Sequence, residues 1–316
     1  MNASCHVAVL QGGASREAAI SRVSAAGVAQ ALRSAGHRVD LLELDRGAAV
    51  ELERSRPDVV FPALHGPPGE DGTVQGLLDL LELAYVGSGV RGSALAMDKA
   101  VAKSVFRRAG LPVAADLLIS RRMPVPEAAG EIRAAFGDRV VIKPVSLGSA
   151  IGVARLPDVG ELERAVSEAQ AFGDLLVEPF ITGREITVGV LDLQGEAPAA
   201  FPVIEIRTAA GEWYDAVNRY KVGGSEHLIP APLPEAVTLD LQRIAVAAHE
   251  ALGLADLSRA DFLVDDNDAI ALLEVNAMPG MTPTSLYPDG ARARGLEFPA
   301  LLDALIESAI RRGSAL

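Results

Sequence analysis

The chain has 316 residues and a formal net charge of −13, with 49% hydrophobic and 22% charged residues. That length calls for two or three domains rather than one core, and the proportions are those of a globular protein, not of a disordered or fibrous one. The acidic balance repels phosphate backbones and excludes nucleic acid as an expected partner, so any nucleotide must meet a local positive site.

Aromatic residues supply only 4%, so the core must come from Leu, Val, Ile and Ala. The single cysteine, Cys5, allows no internal disulfide and no metal-binding spacing, and reads as a small buried residue on the first strand. No basic segment with a following apolar run opens the chain, and no apolar run is long enough to span a bilayer. The cytoplasm is therefore the expected compartment, with no membrane partner.

In chain order, His6–Leu10 is an apolar run followed by Gly12-Gly13, which reads as a buried strand and a tight turn. A helix follows from Glu17 to about Ser34, with Ile20, Val23, Val28 and Leu32 at helical spacing and Gly36 as its stop. Val39–Leu44 and Val59–Leu64 are the next strands. Strand, helix and strand in this rhythm imply a parallel sheet with helices on its faces. The chain turns glycine-rich around Gly87–Ser93, and a helix begins near Asp98, where the first domain boundary is placed. Leu111–Ile151 reads as strand, helix, strand, ending on Val140-Val141-Ile142-Lys143. Glu161–Ala171 reads as a helix, Leu175–Pro179 as a strand, and Glu185–Leu191 opens a region of more antiparallel character. Gly211–Ile229 reads as a long loop and Leu239–Leu252 as an amphipathic helix. Phe262–Val264 and Ala269–Val275 pair as a hairpin across the turn-rich Asp265–Asp268.

The densest chemistry lies near the C-terminus. Glu274 and Asn276 are two apart on a strand and share a face, and Asp261 on the partner strand can meet them. Two carboxylates and an amide oxygen form a hard donor set that suits Mg²⁺ completed by water and phosphates. The alternative is a solvated hairpin, but Glu274 is embedded in apolar residues, where an unpaired acid is costly. Lys143 ends a strand and precedes Gly148-Ser149-Ala150, small residues whose N–H groups can close on an anion. The spacing is not that of a Walker A loop, and an ordinary surface loop is equally open. Lys99 is a second candidate phosphate ligand, or an exposed helical lysine. Glu178, with the backbone of Ile181, could frame an adenine. Glu17 sits at the positive start of the first helix, where a carboxylate is favourable in any case. His65, in the loop after the third strand, lies where sheet ligands bind and could orient a substrate or serve structure.

Taken together, His65–Gly76 and the run Arg259, Asp261, Glu274, Asn276, Pro279, Gly280, Thr282 resemble the paired signatures of the D-alanine–D-alanine ligases. Gly12-Gly13, Glu17, Ser21, Met97-Asp98-Lys99, Lys143-Pro144, Glu178 and Glu185 fall in family order between them. The resemblance covers nearly the whole chain. It implies an α/β fold that is α+β in its later part: a Rossmann-like N-terminal parallel-sheet domain (1–98), then an ATP-grasp pair of domains (99–182 and 183–316). It implies ATP as substrate and two Mg²⁺ ions, with Mn²⁺ acceptable, on Asp261, Glu274 and Asn276. Lys99 and Lys143 would bind phosphates under the Gly148, Ser149 and Ala150 loop, and Glu178, Ile181 and Glu185 would bind adenine and ribose. Glu17 and His65 would hold the first D-alanine, Arg259 and the Gly280 N–H would stabilise an oxyanion, and Ser285 and Leu286 would bind the second D-alanine. Glu17, Ser149 and Tyr220 would form a hydrogen-bonded triad. A homodimer is also implied. The chain departs from the family at Arg219, Ala18-Ala19, Ala150, Pro179 and Ala277-Met278. The leading expectation is ligation of two D-alanines for peptidoglycan precursors. The alternatives are a ligase of secondary metabolism and a nucleotide-binding regulator without turnover.

Overall fold

The computed structural model describes residues 4–158, 160–209, 213, 223–282 and 285–314. Arg219 and Tyr220 lie outside the described residues, as does most of the segment read as a long loop.

The chain begins with β1 (His6–Gln11), α1 (Ala18–Ser34), β2 (Arg38–Glu43), α2 (Ala48–Ser55), β3 (Val59–Pro62), α3 (Thr73–Leu80) and α4 (Val90–Met97). The three strands form a parallel sheet in the order β2-β1-β3. The unbroken apolar run of β1 follows from helices on both faces. Val7 and Val9 point into one core with Val28 and Leu32 of α1, while Ala8 and Leu10 point into another with Leu52 of α2 and Leu78 of α3. Cys5 falls just before β1 and is only partly buried, which corrects its reading as a buried strand residue.

Next come α5 (Lys99–Arg108), β4 (Leu117–Ile119), α6 (Val125–Phe136), β5 (Val140–Pro144), β6 (Ala154–Leu156), α7 (Leu162–Gln170) and β7 (Leu175–Pro179). The Asp98 side chain caps α5 by accepting from the Val101 N–H at 2.9 Å. The four strands form an antiparallel sheet, β4-β7-β5-β6. Val140, Ile142, Leu175 and Val177 point down onto α6 and α7. By the two-residue period, Val141, Lys143 and Glu178 point the other way, into a cleft.

The rest comprises β8 (Arg184–Asp192), β9 (Ala199–Ala200), β10 (Ile204–Arg207), β11 (Glu226–Leu228), α8 (Glu235–Leu252), β12 (Asp256–Val264), β13 (Ile270–Asn276), α9 (Leu286–Ala293) and α10 (Phe298–Arg312). The second antiparallel sheet runs β11-β10-β8-β12-β13, with β9 against β8. Glu226–Leu228, expected within the loop, instead pairs with β10 because Leu228 and His227 align with Glu205 and Ile206. Ile186, Val188, Ala260 and Phe262 pack on α8, and Ala96 of α4 and Phe106 of α5 join the same core. The last helix returns to the start of the chain: Leu301, Leu302 and Leu305 of α10 lie in the core of Val7, Val9 and α1. Among the described residues, no helix is long and apolar enough to cross a membrane.

Candidate functional site

A cleft with about 1020 Å³ of empty space opens between the two antiparallel sheets. Its walls alternate in charge. Lys143 of β5 lies 2.5 Å from Glu178 of β7, and Lys103 of α5 bonds the other Glu178 oxygen. Burial alone would push the Glu178 carboxyl up, but the two lysine charges outweigh it and hold the group below its ordinary range. Burial likewise favours a neutral Lys143, and the Glu178 charge reverses this and raises it. Ile181 and Glu185 line the same cleft, and Arg155 of β6 reaches Glu185 at 3.3 Å. Arg155 also lies 5.3 Å from the ring centres of both Phe180 and Trp213, so the outer wall is a cation–π stack.

The opposite wall carries the β12–β13 hairpin. Asp261 pairs with Glu274 across the ladder and Arg259 with Asn276, as their two-residue spacing requires. A bulge between Asp261 and Phe262 leaves Leu273 as an extra residue, and both Leu273 and Glu274 face the cleft. Asp261 is held from three sides. Arg259 grips it with Nε at 2.8 Å and Nη2 at 2.7 Å, Thr187 Oγ1 donates at 2.6 Å, and Asn276 Nδ2 donates at 3.2 Å. Lys99 is buried, not exposed, and its Nζ lies 3.3 Å from Glu274 and 2.6 Å from the Leu147 carbonyl. Among the described residues there is no cluster of three His, Cys, Asp or Glu side chains able to hold a metal. The oxygen donors are two carboxylates and one amide, which suits a cation whose remaining ligands come from phosphates and water.

The third group sits at the carboxyl ends of the parallel strands. Glu17, at the head of α1, accepts a hydrogen bond from Ser149 Oγ, so the small-residue loop after β5 touches the first sheet's loops. Ser149 and Ala150 have φ of 48° and 55°, left-handed values that cost energy for residues with a Cβ. Gly66 has φ of 67°, a backbone shape that favours glycine, and a Cβ there would fall 2.7 Å from Glu17 Oε2, so the Glu17 carboxylate would have to move. His65 is buried and shares a hydrogen bond with Ser24 Oγ at 3.0 Å. Burial, helped by the Arg259 charge, lowers its pKa to about 4, so the imidazole is neutral near pH 7. Glu70 accepts from the Gly66 N–H at 2.6 Å. Burial raises its pKa to about 8 despite that bond, so it carries its proton near pH 7. The charges of Glu17, Arg259 and Glu274 all reach Glu70, so the first sheet's loops and the hairpin form one site.

Ser285 and Leu286 stand at the start of α9. Ser285 Oγ accepts from the Thr282 N–H at 2.9 Å, and a Cβ at Gly280 would press on that Oγ at 2.9 Å. Gly280 and Ser285 are thus neighbours. Sequence reasoning did not single out Lys103, Glu70, Thr187 or the Arg155 stack. Thr187 could have been found, since it lies two residues beyond Glu185 on one strand face. Lys103, one turn after Lys99, carries no mark of its burial.

Two family descriptions match this chain: D-ala D-ala ligase N-terminus over residues 45–88, and D-ala D-ala ligase C-terminus over residues 105–307. The chain belongs to the D-alanine–D-alanine ligase family. The D-alanine–D-alanine ligase of Parvibaculum lavamentivorans is 44% identical over 98% of this chain and 99% of its own length. That of Novosphingobium aromaticivorans is 40% identical over 97% and 96%. The solved D-alanine–D-alanine ligase of Coxiella burnetii superposes with a TM-score of 0.82 at 31% identity, covering 98% of this chain and 94% of that one. The Bacillus anthracis enzyme, solved in complex with ATP, gives 0.82 at 28% identity and covers 98% of each. The fold of this family member is therefore the α/β fold expected, a parallel-sheet unit followed by the ATP-grasp sheets.

Proposed function

We propose that this family member joins two D-alanines to D-alanyl-D-alanine at the expense of ATP, through a D-alanyl phosphate, for peptidoglycan precursor synthesis. The observation that carries this reading is the Glu17–Ser149 bond. It seats the loop beside the lysine-walled cleft directly on the part of the first sheet that offers a carboxylate and a neutral histidine. A phosphate-binding cleft and a pocket for a small ammonium-bearing acid then share one wall.

In this reading Lys99 and Lys143 bind phosphates, the backbone of Gly148, Ser149 and Ala150 covers them, Glu178 and Ile181 take adenine, and Glu185 takes ribose. Asp261, Glu274 and Asn276 would hold Mg²⁺, two ions with phosphates completing their shells, or Mn²⁺ on the same oxygens. When bound, the metal would neutralise phosphate charge. Glu17 pairs with the ammonium of the first D-alanine and His65 orients it. Its carboxylate attacks the γ-phosphorus, and ADP leaves. The amine of the second D-alanine, whose carboxylate rests on Ser285 and the Leu286 backbone, attacks the acyl carbon. Arg259 and the Gly280 N–H stabilise the oxyanion, and phosphate departs, taking up the proton that the nitrogen loses. A neutral His65 and a protonated Glu70 orient groups without adding charge where the oxyanion forms. The three-part division at residues 98 and 182, the homodimer and the cytoplasmic location belong to the same proposal.

The test is purified protein with ATP, Mg²⁺ and D-alanine. D-alanine-dependent release of phosphate, matched by dipeptide, is expected. ATP binding without either product would overturn the reading in favour of a regulator. Light scattering of the same sample tests the dimer.

A further inference from the structure

Lys103 is fully buried, and its charge is not explained by any contact with the cleft. It lies behind the cleft wall, between Glu178 Oε1 and Asp116 Oδ1, the latter at 3.4 Å. Asp116 is itself gripped by Arg107, one turn further along α5. The cation is therefore fixed from the protein side, and nothing entering the cleft can draw it away. Lys143 differs: it lines the cleft and shares its ammonium with the other Glu178 oxygen.

The nucleotide reading gives Lys143 to a phosphate and Glu178 to the base. Those assignments compete. Each Lys143 proton turned toward a phosphate oxygen is withdrawn from Glu178, and a buried carboxylate left without a cation becomes costly to keep charged. We infer that Lys103 is a positioning residue for the nucleotide base, holding Glu178 oriented as the acceptor for the 6-amino group of adenine once Lys143 turns to the phosphates. A carboxylate offers about four acceptor positions, so Lys103 on Oε1 leaves Oε2 open to that amino group. This rests on the ATP reading above and adds a residue to it that touches no substrate.

The experiment uses the sole tryptophan, Trp213, which lines the cleft, as a fluorescence reporter of nucleotide binding. ATP is compared with purine riboside triphosphate, which lacks only the 6-amino group. Wild-type protein is expected to prefer ATP by on the order of ten- to hundredfold, as a hydrogen bond to a charged group dictates. Lys103→Met is expected to bring that ratio to within about threefold of one, and Lys103→Arg, which keeps the charge, to retain most of it. If Lys103→Met does not fold, Lys103→Gln, a donor without the charge, is read the same way. A folded Lys103→Met or Lys103→Gln with the wild-type ratio overturns the inference, even if overall affinity has fallen. Wild-type protein that binds neither nucleotide instead overturns the ATP reading itself.

Discussion

At the ends of the parallel strands His65 and Glu70 are kept neutral by burial, whereas in the cleft between the antiparallel sheets Glu178 and Lys143 are kept charged by each other. The two regions share Arg259 and the Glu17–Ser149 contact, yet they treat ionisable groups in opposite ways. Burial penalises the charged form, and only a partner charge within a few ångströms reverses that. The difference suits what each side would meet. A triphosphate needs fixed cations, while an acyl oxygen gathering negative charge is better served by neutral donors beside one arginine.

Arg259 is where the regions meet, so removing it tests both at once. Arg259→Met takes away the proposed oxyanion partner and the fork on Asp261, and kcat is expected to fall by about a hundred- to a thousandfold. ATP binding, read by Trp213 fluorescence, is expected to change far less. Equal losses in both would merge the two regions into one structural unit.

Glu178→Gln breaks the charge-paired side alone. It leaves Lys103 and Lys143 without their shared carboxylate, and unfolding by denaturant is expected to cost about 3 kcal/mol less, the lower end for a broken buried pair because Asp116 still faces Lys103. A loss within experimental error would show that pairing does not stabilise this side.

The neutral side is probed by pH. His65 has its folded pKa depressed from 6.5 to about 4. Its contribution is present above 6.5 and is lost as pH falls toward 4, an effect on the order of 3 kcal/mol. Glu70 runs the other way. Its folded pKa is raised from 4.5 to about 8, so its contribution is present below 4.5 and is lost as pH rises through 8. Part of the Glu70 surface remains exposed, so its effect is expected to be the smaller. Denaturant melts across pH 4 to 8 should lose the acid slope in His65→Gln and the alkaline slope in Glu70→Gln. An unchanged slope in either variant would show that the residue titrates normally.

Much of this arrangement could be read from residue order. The run His6–Leu10, the alternation Val140 to Lys143 and the hairpin around Asp265–Asp268 each announce their strand, because the two-residue period ties side-chain type to face. The juxtaposition of Glu274, Asn276 and Asp261 follows from the same rule. Other features were not legible, because they depend on what packs against an element. Helix α4 follows a glycine-rich stretch that hides its start. The bulge opposite Leu273 has no glycine to mark it. Lys103 looks like any helical lysine until Glu178 and Asp116 are set around it. Helix α10 shows an apolar stripe, but nothing in the stripe says that its partner lies almost three hundred residues earlier.

That last contact bears on synthesis. Strand β1 leaves the ribosome well before α10, but the layer that covers Val7 and Val9 includes Leu301, Leu302 and Leu305 of that helix. The opening sheet therefore waits, with that oily face covered by α1 but not yet by α10, until those leucines have been made. Nascent chains stalled before residue 298 should accordingly be the species that chaperones hold and proteases clip, with the cut falling in or beside the first sheet.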